Sequence, residues 1–207
     1  YLTGAQMAGA FQMLRSYDML WSRLVNEYLL GERAPMNDLM AWNADATRMP
    51  ARMHSQYLRR LFLNDDLSEG RYPVDGRPVS LSNLTLPMFL VGTLTDHVAP
   101  WRSVFKLHQM SPAEITFALT SGGHNGGIVN PPGNERRRYQ LLTRPAGGSY
   151  VAPEEWLETA PRTQGSWWPA WLEWLKARSG TPAKPPRMGA GAYKPVGDAP
   201  GTYVLEK

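Results

Sequence analysis

Hydrophobic positions along the chain recur with two different spacings, and each predicts a different kind of element. Between residues 1 and 30 the side chains of Phe11, Leu14, Met19, Leu20, Leu24, Val25 and Tyr28 follow at steps near three and four, which predicts helix. The pattern is interrupted around Ser16-Tyr17-Asp18, where Asp18 is placed to cap a second helix, and Gly31 is placed to end it. The same period returns at Ala51: Met53, Tyr57, Leu58, Leu61 and Phe62 share one face, Arg52, Arg59 and Arg60 lie off it, and the apolar face is expected to be core. It returns again in Ser166 to Arg178, where Trp167, Trp168, Trp171, Trp174 and Leu175 form a broad aromatic stripe expected to pack onto a sheet. Pro153 to Ala160 predicts a shorter helix before it. Two runs, Met88 to Val91 and Ile115 to Leu119, show no helical step; they are short, continuously apolar, and have the composition of buried strands.

The segments between these elements give the organisation. Tyr72 to Leu81 predicts a small hairpin around Asp75-Gly76, with Pro73 and Pro78 keeping its strands short or at an edge. Trp101 to Met110 predicts the helix that returns the chain from the first buried strand to the second, as parallel pairing requires. Glu32 to Pro50 is rich in turn formers, Asn130 to Asn134 is a turn cluster, and the chain beyond Gly180 is rich in Pro, Gly and Ala. The expected class is α/β, with a mainly helical region over residues 1–70, sheet and helices over 71–180, and an extended tail over 181–207. Only the last strands of an open sheet are visible in 207 residues, and the first of these is Tyr1, so the chain is expected to be part of a larger protein.

Composition removes several chemistries. There is no cysteine, which excludes disulfides, thiolate metal sites and a cysteine nucleophile within these residues. Lys+Arg 22 against Asp+Glu 18 gives a formal net charge of +4, too mild to require nucleic acid. No apolar run reaches the roughly 18 residues of a membrane span. His54, His97, His108 and His124 lack metal-ligand spacing, and nothing calls for a metal or other cofactor. The basic run Arg136-Arg137-Arg138 reads either as a solvated face or as an attraction for phosphate groups.

The chemistry that remains lies in the loops after the two buried strands. The first carries Asp96 and the second His124, 28 residues later, a gap that holds one helix and one strand. Residues just past the carboxyl ends of parallel strands converge at the ligand crevice of an open sheet. An acid followed by a histidine after successive strands is also how the α/β-hydrolase fold completes a triad whose nucleophile comes first. Gly122, Gly123, Gly126 and Gly127 let the second loop approach other backbone closely. His124 is the candidate base; Asp96 is the candidate orienting group, or a second base acting on a substrate hydroxyl. No nucleophile in usable form precedes them. His97, beside Asp96, reads by itself as a loop histidine that bonds locally.

Several blocks carry a resemblance to a known family. Tyr-Leu-Leu-Gly-Glu at 28–32, Asp-Leu-Met-Ala-Trp-Asn-Ala-Asp-Ala-Thr at 38–47, Asp-His-Val-Ala-Pro-Trp at 96–101, Ser-Gly-Gly-His at 121–124, Asn-Pro-Pro-Gly at 130–133, Gly-Ser-Trp-Trp-Pro-Ala-Trp at 165–171 and Ala-Pro-Gly-Thr-Tyr-Val at 199–204 resemble, in collinear order, the C-terminal part of polyhydroxyalkanoate synthases. The resemblance implies the C-terminal portion of an α/β-hydrolase fold with an inserted helical cap. It implies an acyltransferase that polymerises (R)-3-hydroxyacyl groups, 3-hydroxybutyryl in the short-chain type, from coenzyme A thioesters with release of coenzyme A. Asp96 and His124 match the acid and histidine of a Cys-Asp-His triad whose cysteine would lie upstream of Tyr1, which would leave this fragment alone inactive. His97, Trp42 and Asp45 match neighbouring positions that could support the site. The implied partners are the acyl-coenzyme A, the polyester chain, the cytoplasmic granule surface and a second copy of the enzyme, with neither nucleic acid nor a membrane span. Two other readings stay open: a non-catalytic dimerisation or granule-binding module, and an esterase or depolymerase. An upstream Gly-x-Cys-x-Gly separates the synthase from a hydrolase, which would carry Gly-x-Ser-x-Gly.

Overall fold

The computed structural model describes residues 2–14, 21–22, 24–32, 42, 48–189 and 191–198, and the chain divides into two units, residues 1–64 with 184–207, and residues 65–183. In the first unit, helix α1 (Gly4–Leu14) opens with a capping box: the Gln6 N–H donates to Thr3 Oγ1 at 3.2 Å and the Thr3 N–H to Gln6 Oε1 at 3.0 Å. Leu2 and Met49 exchange both main-chain hydrogen bonds. A single π-helical turn spans Leu24–Leu29, and Gly31 ends it at φ 71° while the Glu32 N–H reaches back to the Asn26 carbonyl. The predicted break and cap around Asp18 lie outside the described residues.

Helix α2 (Ala51–Tyr57) continues as a π-helical turn over Leu58–Leu63. Its apolar face was expected to be core, and the structure corrects this: Met53 is 55% exposed, Tyr57 52% and Phe62 76%. An amphipathic period orders side chains on one face but does not supply the surface that covers them. No described element of this unit packs across that face.

The second unit begins with the hairpin, β1 (Tyr72–Val74) and β2 (Arg77–Val79), joined by Asp75 and Gly76 at φ 49° and 76°, the two positive values of a type I′ turn. Pro73 faces Pro78 across it. Counting out from the turn, that pair occupies a site where neither residue donates to the other strand, so the missing N–H groups leave no gap in the ladder.

Strands β3 (Met88–Thr93) and β4 (Ile115–Thr120) pair in parallel from Met88 opposite Ile115 to Thr93 opposite Thr120. The predicted crossover helix is divided at Lys106 into α3 (Trp101–Phe105) and α4 (Leu107–Met110). Two strands were not anticipated: β5 (Arg138–Arg144) runs antiparallel to β4, and β6 (Arg162–Gln164) antiparallel to β5, giving the order β3-β4-β5-β6. Between them lies α5 (Pro153–Thr159), and α6 (Trp168–Lys176) follows β6.

Both faces of this mixed sheet are covered along β3 and β4, whereas β6 is exposed along its length. On one face, Phe117 and Leu119 of β4 join Trp101, Phe105 and Trp156 in the core. There Phe117 lies edge-on to Trp156 at 5.0 Å and to Phe105 at 5.2 Å. Gly92 makes this approach possible, since a Cβ on it would stand 2.9 Å from the Phe117 ring and 3.0 Å from Trp101 Cβ. Phe89, of opposite parity to Gly92 on β3, stacks on Trp167 at 6.1 Å and meets Trp174 edge-on at 5.7 Å, so part of the tryptophan stripe packs onto the sheet as expected. Trp171, 40% exposed, does not.

Candidate active site

Parallel pairing of β3 with β4 does more than bring two loops to one edge. The ladder continues past both strands: the Leu94 N–H donates to Thr120 C=O at 2.9 Å and the Thr95 N–H to Gly122 C=O at 3.1 Å. Asp96 and His124 therefore leave from backbones that are already tied together. Oδ2 of Asp96 lies 2.9 Å from Nδ1 of His124. Oδ1 accepts the N–H groups of Val98 and Ala99, both at 2.8 Å, and the Thr93 hydroxyl donates to Oδ2 at 3.3 Å.

The electrostatics follow from this geometry. Burial leaves the Asp96 side chain 6% exposed and alone would raise its pKa. The hydrogen bonds from Ala99, His124 and Val98 outweigh burial and hold the carboxyl below its usual value. An ionised carboxylate can only accept, so Nδ1 of His124 carries the hydrogen and Nε2 is left as the basic nitrogen. Nε2 has no hydrogen-bond partner among the described residues, and the side chain is 45% exposed. An imidazole held by a buried carboxylate on one nitrogen and open on the other can take a proton from a nucleophile and return it to a leaving group.

The loop bearing His124 has two glycines that no other residue could replace without displacement. Gly122 has φ 113°, and a Cβ on Gly127 would fall 2.5 Å from Thr93 Cγ2. The Gly127 N–H donates to Gly123 C=O at 2.9 Å, closing a tight turn around the histidine. Two donors beyond the motif also hold it: Trp167 Nε1 donates to Gly127 C=O at 3.1 Å and Trp168 Nε1 to Ile128 C=O at 2.9 Å. The sequence offered a signal for these in the Trp-Trp doublet after Gly165, but the stripe was read as packing on the sheet or, if exposed, as a partner or granule surface, and neither reading made the indoles donors to the loop.

The other singled-out residues fall elsewhere. His97 is exposed and makes no hydrogen bond to Asp96 or His124. Trp42 belongs to the first unit, where it is 66% exposed, and Asp45 lies outside the described residues. His54 sits in α2, and His108 is buried, stacked on Phe105 at 4.1 Å with Nδ1 on the Phe105 carbonyl. Burial lowers the His108 pKa, which suits a neutral packing residue. In the basic run, Arg136 and Arg138 are exposed, whereas Arg137 is half-buried against the His124 loop. No described helix is long and apolar enough to cross a membrane.

No family model matches the chain. Curated relatives do. The chain is 40% identical to the poly(3-hydroxyalkanoate) polymerase subunit PhaC of Rhizobium etli, over 100% of this chain and 32% of the relative. It is 42% identical to poly(3-hydroxyalkanoate) polymerase 2 of Ectopseudomonas oleovorans, over 100% of this chain and 36% of that protein. It is 41% identical to the poly(3-hydroxyalkanoate) polymerase of Methylorubrum extorquens, over 100% of this chain and 34% of that one. The chain thus spans about a third of the length of the curated relatives it matches.

Proposed function

The chain belongs to the poly(3-hydroxyalkanoate) polymerase family, as a C-terminal part of such an enzyme, and on that premise we propose that it supplies the base and its orienting acid for polymerisation of (R)-3-hydroxyacyl groups from coenzyme A thioesters. The observation that carries the reading is the hydrogen bond that His124 Nδ1 donates to Oδ2 of Asp96, which leaves Nε2 open. The nucleophile is a cysteine contributed by sequence upstream of Tyr1, and residues 71–180 are the C-terminal half of the α/β-hydrolase core that brings the base and its acid to it.

In this reading Nε2 of His124 takes the thiol proton of the cysteine, and the thiolate attacks the thioester carbonyl. The carbon–sulfur bond to coenzyme A breaks as the new thioester forms, and the imidazolium returns its proton to the leaving thiolate. His124, neutral again, takes the proton from a 3-hydroxyl group whose oxygen attacks the acyl-enzyme. An ester bond forms as the enzyme thioester breaks, and the imidazolium returns its proton to the released cysteine thiolate. Asp96 stabilises the imidazolium and fixes its tautomer. Its carboxylate oxygens are both occupied by donors of the protein itself, which favours orientation over direct contact with a substrate hydroxyl.

The exposed apolar side chains of the first unit, among them Tyr28, Leu29, Phe62 and Leu63, favour a further role for residues 1–70 as a cap that meets a second copy or the polyester granule. The test of the catalytic reading is coenzyme A release from (R)-3-hydroxybutyryl-coenzyme A by the full-length polymerase. His124→Ala is expected to lower kcat by about a thousandfold or more with folding intact. Release that is equally fast without His124 sinks the assignment. A full-length protein that releases no coenzyme A sinks the synthase reading itself and favours the binding module.

A further inference from the structure

The loop that presents His124 is held from two sides. The indoles of Trp167 and Trp168 take the carbonyls of Gly127 and Ile128 on one side. On the other lies the guanidinium of Arg137. Its Nη1 faces the Ser121 carbonyl at 3.4 Å, a Cβ on Gly122 would come within 2.5 Å of Nη1, and one on Gly126 within 3.3 Å of Nη2. The guanidinium thus fills the space that two glycines leave open. Its own backbone is fixed: the Arg137 N–H donates to Asn134 C=O at 3.2 Å and the Gly165 N–H donates to Arg137 C=O at 2.6 Å. One residue on, Arg138 accepts from the Ser121 N–H at 2.9 Å and donates to Ser121 Oγ at 3.1 Å. Arg71, Arg102 and Arg178 each face a carboxylate, whereas Arg137 faces none among the described residues. An ion pair therefore does not account for where its side chain lies.

We propose that Arg137 is a positioning residue: its guanidinium, laid over Gly122 and Gly126, sets the height of the loop and with it the direction of His124 Nε2. The proposal rests on His124 being the base in the reaction proposed above. A planar guanidinium can cover two adjacent glycines at once, which a lysine ammonium cannot. Displacement of a catalytic group by about 1 Å costs up to about a hundredfold in rate.

The experiment uses the full-length polymerase with (R)-3-hydroxybutyryl-coenzyme A. Arg137→Gln is expected to lower kcat by about 10- to 100-fold while KM stays within about threefold, because the loss is in the geometry of reaction and not in substrate binding. Guanidinium ion at millimolar concentration is expected to restore part of kcat in Arg137→Ala. Gly126→Ala keeps every charge and pushes on Nη2; it is expected to lower kcat less, and non-additively with Arg137→Gln. Modification of His124 by diethyl pyrocarbonate, mapped on peptides, reads the loop without turnover and is expected to slow severalfold in Arg137→Gln. An unchanged kcat, or a KM that rises about tenfold at constant kcat, overturns the proposal, the second result assigning Arg137 to substrate phosphates. Should Arg137→Gln fail to fold, an unchanged kcat in Gly126→Ala overturns it alone. Should the parent release no coenzyme A, the functional reading fails, and an unchanged modification rate in Arg137→Gln then decides against the positioning role separately.

Discussion

His124 donates from Nδ1 to Oδ2 of Asp96 at 2.9 Å, while Oδ1 of the same carboxylate is taken by two backbone amides at 2.8 Å. The acid is thus fixed by the turn it starts, and the imidazole is fixed by the acid. Asp96→Asn keeps the size of the side chain but places an NH2 group where one acceptor stood. If the amide oxygen keeps the Val98 and Ala99 donors, the NH2 faces Nδ1 and forces the hydrogen onto Nε2, which abolishes the base. The expected loss in kcat for coenzyme A release is about a thousandfold or more, measured per folded molecule.

The same contacts make a prediction about acid stability. Asp96 is held below its ordinary value by hydrogen bonds that outweigh the effect of burial, so the folded state binds its proton less readily than the unfolded chain. A depressed carboxyl contributes stability that is present above the unfolded pKa and is lost as pH falls through the folded one. The stability difference between the parent and Asp96→Asn is therefore expected to be largest above about pH 5 and to shrink steadily below about pH 4. Urea unfolding of both proteins at about pH 6 and about pH 3 measures it, and a constant difference would refute the account.

Why this pair was legible while the rest of the sheet was not comes down to burial on two faces. Ile115 to Thr120 is buried along its whole length, so its residues had to be apolar or small and announced the strand. Parallel pairing with Met88 to Val91 then dictates a crossover, and the crossover delivers Asp96 and His124 to one end. In β5 the polarity is inverted: Gln140 is buried and Leu142 is 36% exposed. Gln140 can be buried because its Nε2 donates to the carbonyls of Leu157 and Ala160, both at 2.8 Å, partners far away in sequence. A strand whose buried position is polar leaves no alternation to read. The face of α2 shows the converse, a clear period with no cover among the described residues of its unit.

Two glycines distinguish stability from presentation of the histidine. An alanine methyl at Gly92 would press on Phe117 and Trp101, in the core, and one at Gly127 would press on Thr93 beneath the His124 loop. Each is expected to cost about 1–3 kcal/mol by overpacking. Only Gly127→Ala is expected to lower kcat per folded molecule, by tenfold or more, because relief of its clash moves the loop. Thermal unfolding combined with active fractions separates the two effects, and equal kcat in both variants would show that the loop tolerates the shift.

The opposite end of the sheet carries the complementary prediction. Arg144 pairs with Ile115, the first residue of β4, whereas the Asp96–His124 pair lies beyond Thr120, the last. Five residues of strand separate these ends by roughly 17 Å. The Arg144 guanidinium donates to the carbonyls of His108, Ser111 and Ala113, the last two at 2.6 and 2.7 Å from Nη2, and so closes the carboxyl end of α4 and the turn leading into β4. Arg144→Met leaves these carbonyls without donors and is expected to destabilise by about 2–4 kcal/mol. Arg144→Lys restores a charge but not the fork that reaches three acceptors, so it should recover only part of that loss. Both variants are expected to keep kcat per folded molecule, because the strand register that places Asp96 and His124 is fixed by the β3–β4 ladder itself. A fall in kcat that exceeds the unfolded fraction would mean that this end of the sheet is coupled to the histidine, contrary to the separation of roles argued from the register.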